Sequence, residues 1–449
     1  SDVYKRQEFN EFGFTTTAPV TLSVDYGDMA GMPANVYFEV YDTCPVEETE
    51  TAYAKIAGVE PLYAGYTDGQ GRFEGTIELP AYIRKAYVLT PAFYARTLLE
   101  ATRSGDMLTA SAESGAPANA APASTRAKEY HSTAVERDGW KTWLGSYDTT
   151  YGSIGYEYDG DLKVKNYGAL LKAHASVFDT TKKCPKEYRS SRDLYLEKSA
   201  EVVITLLGSN TCWNSSMGYY YYKTGNKPKS LADANVVMIF PNTQDGRWSN
   251  SPWESRLYQG VERGTAVQLI YYPEIADGSK AGATTVFPAD YRIGFVLATN
   301  AWTNRLRAGD KKYRAATSDG LSVNNNGVAY QTPRTAVFRY TDKKSGINSV
   351  LFSFEDHTND ENFSDVVFTM TSNPVDAVTD IPSVDVNDGK KTANVLRGIY
   401  AFEDLWPSRG DYDMNDVMVR SDYEKVFNEK GVFEESFMLK TFANFAGNA

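Results

Sequence analysis

Two stretches of the chain concentrate carboxylates at a spacing that could do metal chemistry. The first reads FSFEDHTNDENFSDVVFTM from Phe352 to Met370, the second YAFEDLWPSRGDYDMNDVMV from Tyr400 to Val419. In each, Phe-Glu-Asp closes a hydrophobic run, an Asp-rich loop follows, and Asp-Val opens the next hydrophobic run. Aligned, Phe354, Glu355 and Asp356 match Phe402, Glu403 and Asp404. Asp360 then matches Asp411, Asn362 matches Asp413, Ser364 matches Asn415 and Asp365 matches Asp416. Repetition at this detail marks a structural unit.

Several carboxylates in one short loop repel unless something neutralises them, and a cation is the simplest neutraliser. Oxygen donors, with no His or Cys in the second copy, specify a hard ion. About six to eight such ligands suit calcium better than octahedral, water-retaining magnesium. Asp411, Asp413 and Asn415 stand at alternate positions, the spacing that lets one tight turn aim several oxygens inward. The loop is still no EF-hand: Asp416 replaces the required Gly, Asp422 replaces the bidentate Glu, and the flanks read as strands. The competing reading of either loop alone is a solvated turn whose Asp and Asn cap their own backbone. The repeated ends favour ligation. His357, in the first copy alone, reads as a surface residue.

The same residues carry a resemblance. YAFEDLWPSRGDYDMNDVMV is similar to the opening of the LruC-type C-terminal domain of secreted and outer-membrane-associated bacterial proteins, notably of the Bacteroides group. FPADYRIGFVLATNAW near residues 287–302 and SVLFSFEDHTNDENFSDVVF near 349–368 resemble a second family of surface domains with the same signature. The two cover roughly the last 180 residues. The resemblance implies calcium binding without enzymatic activity. Residue by residue it implicates Glu355, Asp356, Asp360 and Asp365, then Glu403, Asp404, Asp411, Asp413 and Asp416. Asn362 and Ser364 depart from the usual pattern in the first copy.

The elements that must position these loops read as strands. Gly 34, Tyr 32 and Phe 21 in 449 residues, with many Thr and Val, favour β-structure in two or three domains. A mainly β chain of antiparallel β-sandwich domains joined by a flexible linker is expected. Residues 13–101 resemble a transthyretin-like or regulatory-like β-sandwich, with period-two segments such as VTLSVDYG and TDGQGRFEGTIELP. Residues 102–128 are rich in Ala, Ser and Pro and read as the linker. A β-rich domain with the first motif follows over 129–375, then a connector over 376–395. The start of an LruC-type domain occupies 396–449. A helix is expected only near 161–177. In the connector, Asp385, Asn387 and Asp388 read as a turn rather than a cation site.

Composition narrows the partners. A net charge of -12 disfavours nucleic acid and anionic membranes, which need concentrated Lys and Arg. No run of eighteen apolar residues could span a membrane as a helix. Cys44, Cys184 and Cys212 are too few for a disulfide scaffold, with Cys184 and Cys212 as the one pair spaced to close a bridge in an exported chain. Since the chain opens on Ser1 and stops inside the LruC-type stretch, a mature form or a fragment is expected, with any export signal or lipid anchor outside it.

Catalysis finds little support. Three histidines are present, and no GxSxG elbow, HExxH helix, P-loop or GxGxxG fingerprint. A carboxylate-dependent glycoside hydrolase is the enzyme alternative. Against it stands the expectation that carboxylates in polar loops lack the raised pKa of an acid catalyst. The run Gly218 to Tyr222, with Trp248, Trp253 and Trp302, could form a sugar-stacking platform, although strand packing accounts for it more simply. The sequence therefore predicts a non-catalytic, calcium-binding structural or adhesive protein at the outer-membrane surface or outside the cell. Its partner would be a protein or glycan there, and a calcium-dependent carbohydrate-binding module is the rival.

Overall fold

The structure is a computed structural model. It describes residues 17–27, 35–48, 53–112, 133–149, 151–164, 167–211, 213–244, 260–302, 312–342, 347–357, 360–383, 391–402, 417–428 and 431–444. It is mainly β, as expected. Every pairing between its strands is antiparallel except one in the first sheet.

The first strands are β1 (Thr17–Asp25), β2 (Tyr37–Tyr41), β3 (Val46–Glu48), β4 (Tyr53–Lys55) and β5 (Tyr63–Tyr66). After them come β6 (Arg72–Pro80), β7 (Lys85–Leu89), β8 (Leu98–Ser104) and β9 (Met107–Ser111). Seven form one sheet in the order β5-β2-β7-β8-β9-β1-β6, and β3 pairs with β4 apart. The period of two is obeyed in β1, where Val20, Leu22 and Val24 are buried in turn. At the tight turn into β6, Asp68 Oδ1 accepts from the N–H groups of Gln70 and Arg72 while Gly71 takes φ +76°.

Here the expected linker is corrected. Residues 102–111 finish β8 and form β9, which lies parallel beside β1. Leu108 and Ala110 are fully buried because alternation places them on the core face. Residues 113–128 lie outside the described residues.

The second region holds β10 (Leu194–Leu196), β11 (Ala200–Ser209), β12 (Ser216–Lys223), β13 (Val237–Phe240), β14 (Ala266–Gln268) and β15 (Val286–Phe287). It continues with β16 (Tyr291–Ala298), β17 (Arg314–Ala316), β18 (Thr335–Asp342), β19 (Ile347–Phe354), β20 (Val366–Asn373) and β21 (Val378–Thr379). One sheet runs β13-β12-β16-β10-β21 with β17 beside β16, the other β14-β11-β20-β19-β18 with β15 beside β11. Their facing side chains make one core, in which Phe295 meets Phe352 and Phe368 edge-on at 5.2 and 5.1 Å. This is the antiparallel sandwich. Because β21 pairs with β10, the sandwich continues past residue 375, and the expected connector is shorter than 376–395.

The outer face of the β11-β20-β19-β18 sheet is not wet. Leu207, Phe338, Leu351 and Val367 join a core that includes Val20, Phe38, Leu79, Phe93 and Leu99 of the N-terminal sheet. A sheet covered on both faces needs apolar residues at successive positions, which is why β19 and β20 read as hydrophobic runs rather than alternating ones. Between these layers sits helix α2 (Gly168–Val177), preceded in the chain by a short α1 (Thr133–Asp138). Leu170, Leu171 and, just beyond α2, Phe178 enter the shared core. Of the helix expected near 161–177, residues 168–177 are helical and 161–164 are not.

Three long strands close the chain: β22 (Lys391–Phe402), β23 (Val417–Asn428) and β24 (Gly431–Asn444), paired in that order. Residues 391–395, expected in the connector, belong to β22. Asp385, Asn387 and Asp388 lie outside the described residues. Among the described residues, no helix is long and apolar enough to cross a membrane, which says nothing about strands.

Candidate metal centre

Both motif copies are flanked by paired strand ends. Phe354, the last residue of β19, pairs with Val366, the first of β20. Phe402, the last of β22, pairs with Val417, the first of β23. The motif phenylalanines thus end strands, and the motif valines Val366 and Val417 begin them. The ends differ in burial: Phe354 is fully buried, whereas Phe402 is 52% exposed. Phe354 has the facing sheet of the sandwich to pack against, including Phe368 at 5.7 Å. Glu403, Asp404, Asp411, Asp413, Asn415 and Asp416 lie outside the described residues.

In the first loop the carboxylates converge. One oxygen from each of Glu355, Asp356 and Asp365 lies within 4.8 Å of the others, and all three residues are buried. Asp360, partly buried, sets its carboxylate against that of Glu355. So all four sequence-predicted residues of this copy belong to one cluster. Two unit charges at about 5 Å in an effective dielectric near 20 repel by roughly 3 kcal/mol. Among the described residues, one buried cation answers them: Arg334 approaches Glu355 Oε1 at 3.3 Å and also donates to the carbonyl of His357.

The loop backbone is drawn into the cluster. The Asp356 N–H donates to Asp365 Oδ2 at 2.6 Å, and the Phe363 N–H donates to Glu355 Oε2 at 3.1 Å. Thr211 Oγ1 donates to Asp356 Oδ2 at 2.5 Å, and Thr299 Oγ1 donates to the Asp356 carbonyl at 2.9 Å. Arg334, Thr211 and Thr299 come from distant strands or strand ends, and nothing in their local sequence announces them. His357 is buried against Tyr313, with ring centres 4.9 Å apart, which corrects its reading as a surface residue.

Burial and mutual repulsion push the carboxyls upward. Asp356 rises to about 7, chiefly through burial. Glu355 and Asp365 rise well above the usual carboxylate range, again through burial first and then through the neighbouring acids. The expectation that these groups sit in a polar loop with ordinary acidity is thereby overturned. Glu361, at the edge of the loop, behaves oppositely: burial acts to raise it, but Lys183 and Arg189 at 3.2 and 3.4 Å hold it low.

The donor set fits a hard divalent ion. Oxygens on a sphere of about 2.3–2.6 Å radius are separated by up to roughly 5 Å, which the 4.8 Å limit respects. Glu355 Oε1 has the Arg334 ion pair but no hydrogen bond, and the fully buried hydroxyl of Ser364, next to Asp365, has no hydrogen-bond partner. Buried polar atoms left this way are expensive. Glu361 and Phe363 hold φ of +50° and +59°, a left-handed backbone that costs about 1–3 kcal/mol each in a side-chain-bearing residue.

Other sequence candidates serve packing. Tyr219 and Tyr220 are fully buried on opposite sides of β12, Tyr219 in the sandwich core and Tyr220 in a smaller cluster with Val296 and Met238. Tyr221 and Tyr222 commit their hydroxyls to the Tyr272 carbonyl and Asp193. Trp302 is buried, and Trp248 and Trp253 lie outside the described residues. Cys184 is a buried free thiol pushed up to about 12 by burial, and Cys212 lies outside the described residues.

Two families match parts of the chain. Residues 18–112, the N-terminal sheet, match a domain of unknown function (DUF8469). Residues 287–373, from β15 to the end of β20 and so including the first acidic loop, match a second domain of unknown function (DUF4114). No curated protein and no solved structure matches the chain.

Proposed function

We propose that the loop between β19 and β20 binds calcium, and that the protein is a non-catalytic structural or adhesive module of the cell surface or the extracellular space. The observation that carries this reading is the convergence of buried Glu355, Asp356 and Asp365 within 4.8 Å, with Arg334 as the cation paired to them. The matching hairpin register of the second copy supports a second site built from Glu403, Asp404, Asp411, Asp413, Asn415 and Asp416. The resemblance of that copy to LruC-type domains supports an outer-membrane-associated or secreted location, with any lipid anchor outside this chain.

The ion would clamp two strand ends. At a dissociation constant near 0.1 mM, typical of extracellular modules, millimolar calcium stabilises the fold by about 1.4 kcal/mol per site. Burial argues against the glycosidase alternative, because Glu355 and Asp365, at 0% and 3% exposure, leave no face for a sugar ring between them. A sugar platform on β12 is disfavoured by the burial of Tyr219 and Tyr220.

The test is metal counting on the intact chain by native mass spectrometry, with thermal unfolding in calcium, magnesium and chelator. Two calcium ions per chain and a melting point raised by calcium rather than magnesium are expected. Asp404→Ala with Asp416→Ala should remove one ion, and Asp356→Asn with Asp365→Asn the other. A parent protein that binds no calcium and melts identically in chelator would end the proposal. A glycan array with and without chelator decides between a structural role and calcium-dependent sugar recognition.

A further inference from the structure

We infer that occupation of the first acidic loop controls how firmly the N-terminal sheet is docked on the sandwich. The inference rests on the cation reading above and extends it to regulation of the same site. Its carrier is the strap that follows α2, residues 178–190, which touches both partners.

Thr180 is the pivot. Its N–H and its Oγ1 both donate to the Pro91 carbonyl of the N-terminal domain, each at 3.2 Å. Its own carbonyl accepts from Asn362 Nδ2 at 3.0 Å, and the same amide nitrogen donates to Asp360 Oδ2 at 3.0 Å. One residue therefore stands between the N-terminal domain and a carboxylate of the cluster. Neighbouring ties run in parallel. The Thr181 carbonyl accepts from the Lys55 N–H, and the Cys184 N–H donates to the Glu361 carbonyl at 2.8 Å. Lys183 and Arg189 pair with Glu361, and Arg189 lies 5.2 Å over the Phe363 ring.

Phe363 makes the coupling apolar as well as polar. It is a loop residue, yet it is fully buried in the core shared with Phe93 and Ala92 of the N-terminal domain and with Leu170 of α2. An ion bound by Glu355, Asp356, Asp360 and Asp365 would hold the loop against their repulsion, and the loop cannot loosen without moving Glu361, Asn362 and Phe363. Those three residues hold the strap. An ion that fixes Asp360 fixes the Asn362 amide, and through Thr180 the contact with Pro91.

Hydrogen–deuterium exchange on the full chain, in calcium and in chelator, tests this, with calcium stoichiometry measured in parallel by equilibrium dialysis. Calcium should slow exchange in residues 355–365 and also in 90–97 and 180–184, by roughly fivefold or more. If calcium binds and only 355–365 responds, the coupling is wrong and the calcium site stands. If no calcium binds, both fall. Thr180→Val keeps the side-chain shape, lies outside the acidic loop and removes the Oγ1 bond to Pro91. It should bind calcium at unchanged stoichiometry while the calcium-dependent slowing in 90–97 shrinks at least about twofold. An unchanged response in 90–97 would overturn Thr180 as the bridge.

Discussion

The backbone N–H of Asp356 donates to the carboxylate of Asp365 across the mouth of the hairpin, at 2.6 Å. These residues lie nine apart in sequence, one just past the end of β19 and the other just before β20. The strand ladder sets their separation, because Phe354 and Val366 are paired beside them. The acidic cluster is therefore held together by the sheet before any ion arrives, and the like charges cannot separate without loosening the strand ends.

That constraint gives Asp365→Asn an unusual expected sign. The amide oxygen can still accept from Asp356 N–H, while a carboxyl that burial and its acidic neighbours disfavour in its charged form is replaced by a group that never ionises. In chelator the variant should be more stable than the parent by about 1 kcal/mol, and in millimolar calcium it should gain little or nothing. Urea denaturation in the two buffers measures both. A variant less stable than the parent in chelator would show that repulsion is already relieved in the parent.

Acidity should work against the ion. Asp356, raised from an ordinary value of 3.8 to about 7, favours folding in its protonated form; that contribution is full below pH 3.8 and is lost as pH rises through about 7. Calcium needs the deprotonated form. For one coupled proton, affinity should be about tenfold weaker at pH 6 than at pH 8. Calcium titrations by calorimetry in buffers of differing ionisation heat would report the released proton, and a pH-independent affinity would contradict the assignment.

His174 points the opposite way. It is fully buried, hydrogen-bonded through Nε2 to Ser353 at 2.7 Å and wedged against Phe93 and Phe178, and burial lowers it from 6.5 to about 3. Its neutral form is the one folded, so its contribution is full above pH 6.5 and is lost as pH falls towards 3. Relative to His174→Phe, the parent should lose about 2 kcal/mol between pH 7.5 and pH 5. Parallel urea curves of the two proteins, in one calcium concentration, measure the difference.

The two motif phenylalanines should respond unequally. Phe354→Ala removes a fully buried ring and should cost about 3–5 kcal/mol, whereas Phe402→Ala, at a half-exposed position, should cost under about 1 kcal/mol. Thermal or chemical unfolding of the two variants tests the contrast. Equal costs would mean that the second hairpin is buried by something the described residues do not include.

By itself the sequence determined the strand-rich architecture, through period-two segments such as the one ending at Val24, and the place of the acidic loops, through the Phe-Glu-Asp and Asp-Val ends that became paired strand termini. Those signals are local, so they survive without knowledge of neighbours. What only the tertiary structure decided depends on residues far apart in the chain. The linker was misjudged at Leu108 and Ala110 because the Ala, Ser and Pro around them look like linker until β1 lies beside the strand. His357 was misjudged because its burial comes from Tyr313. Arg334 and Thr211 join the cluster from 21 and 145 residues away, as Glu355 and Asp356 show. Charge density could be read along the chain, but the burial that makes those charges repel, and the strap that ties them to Pro91, exist only once three layers have packed.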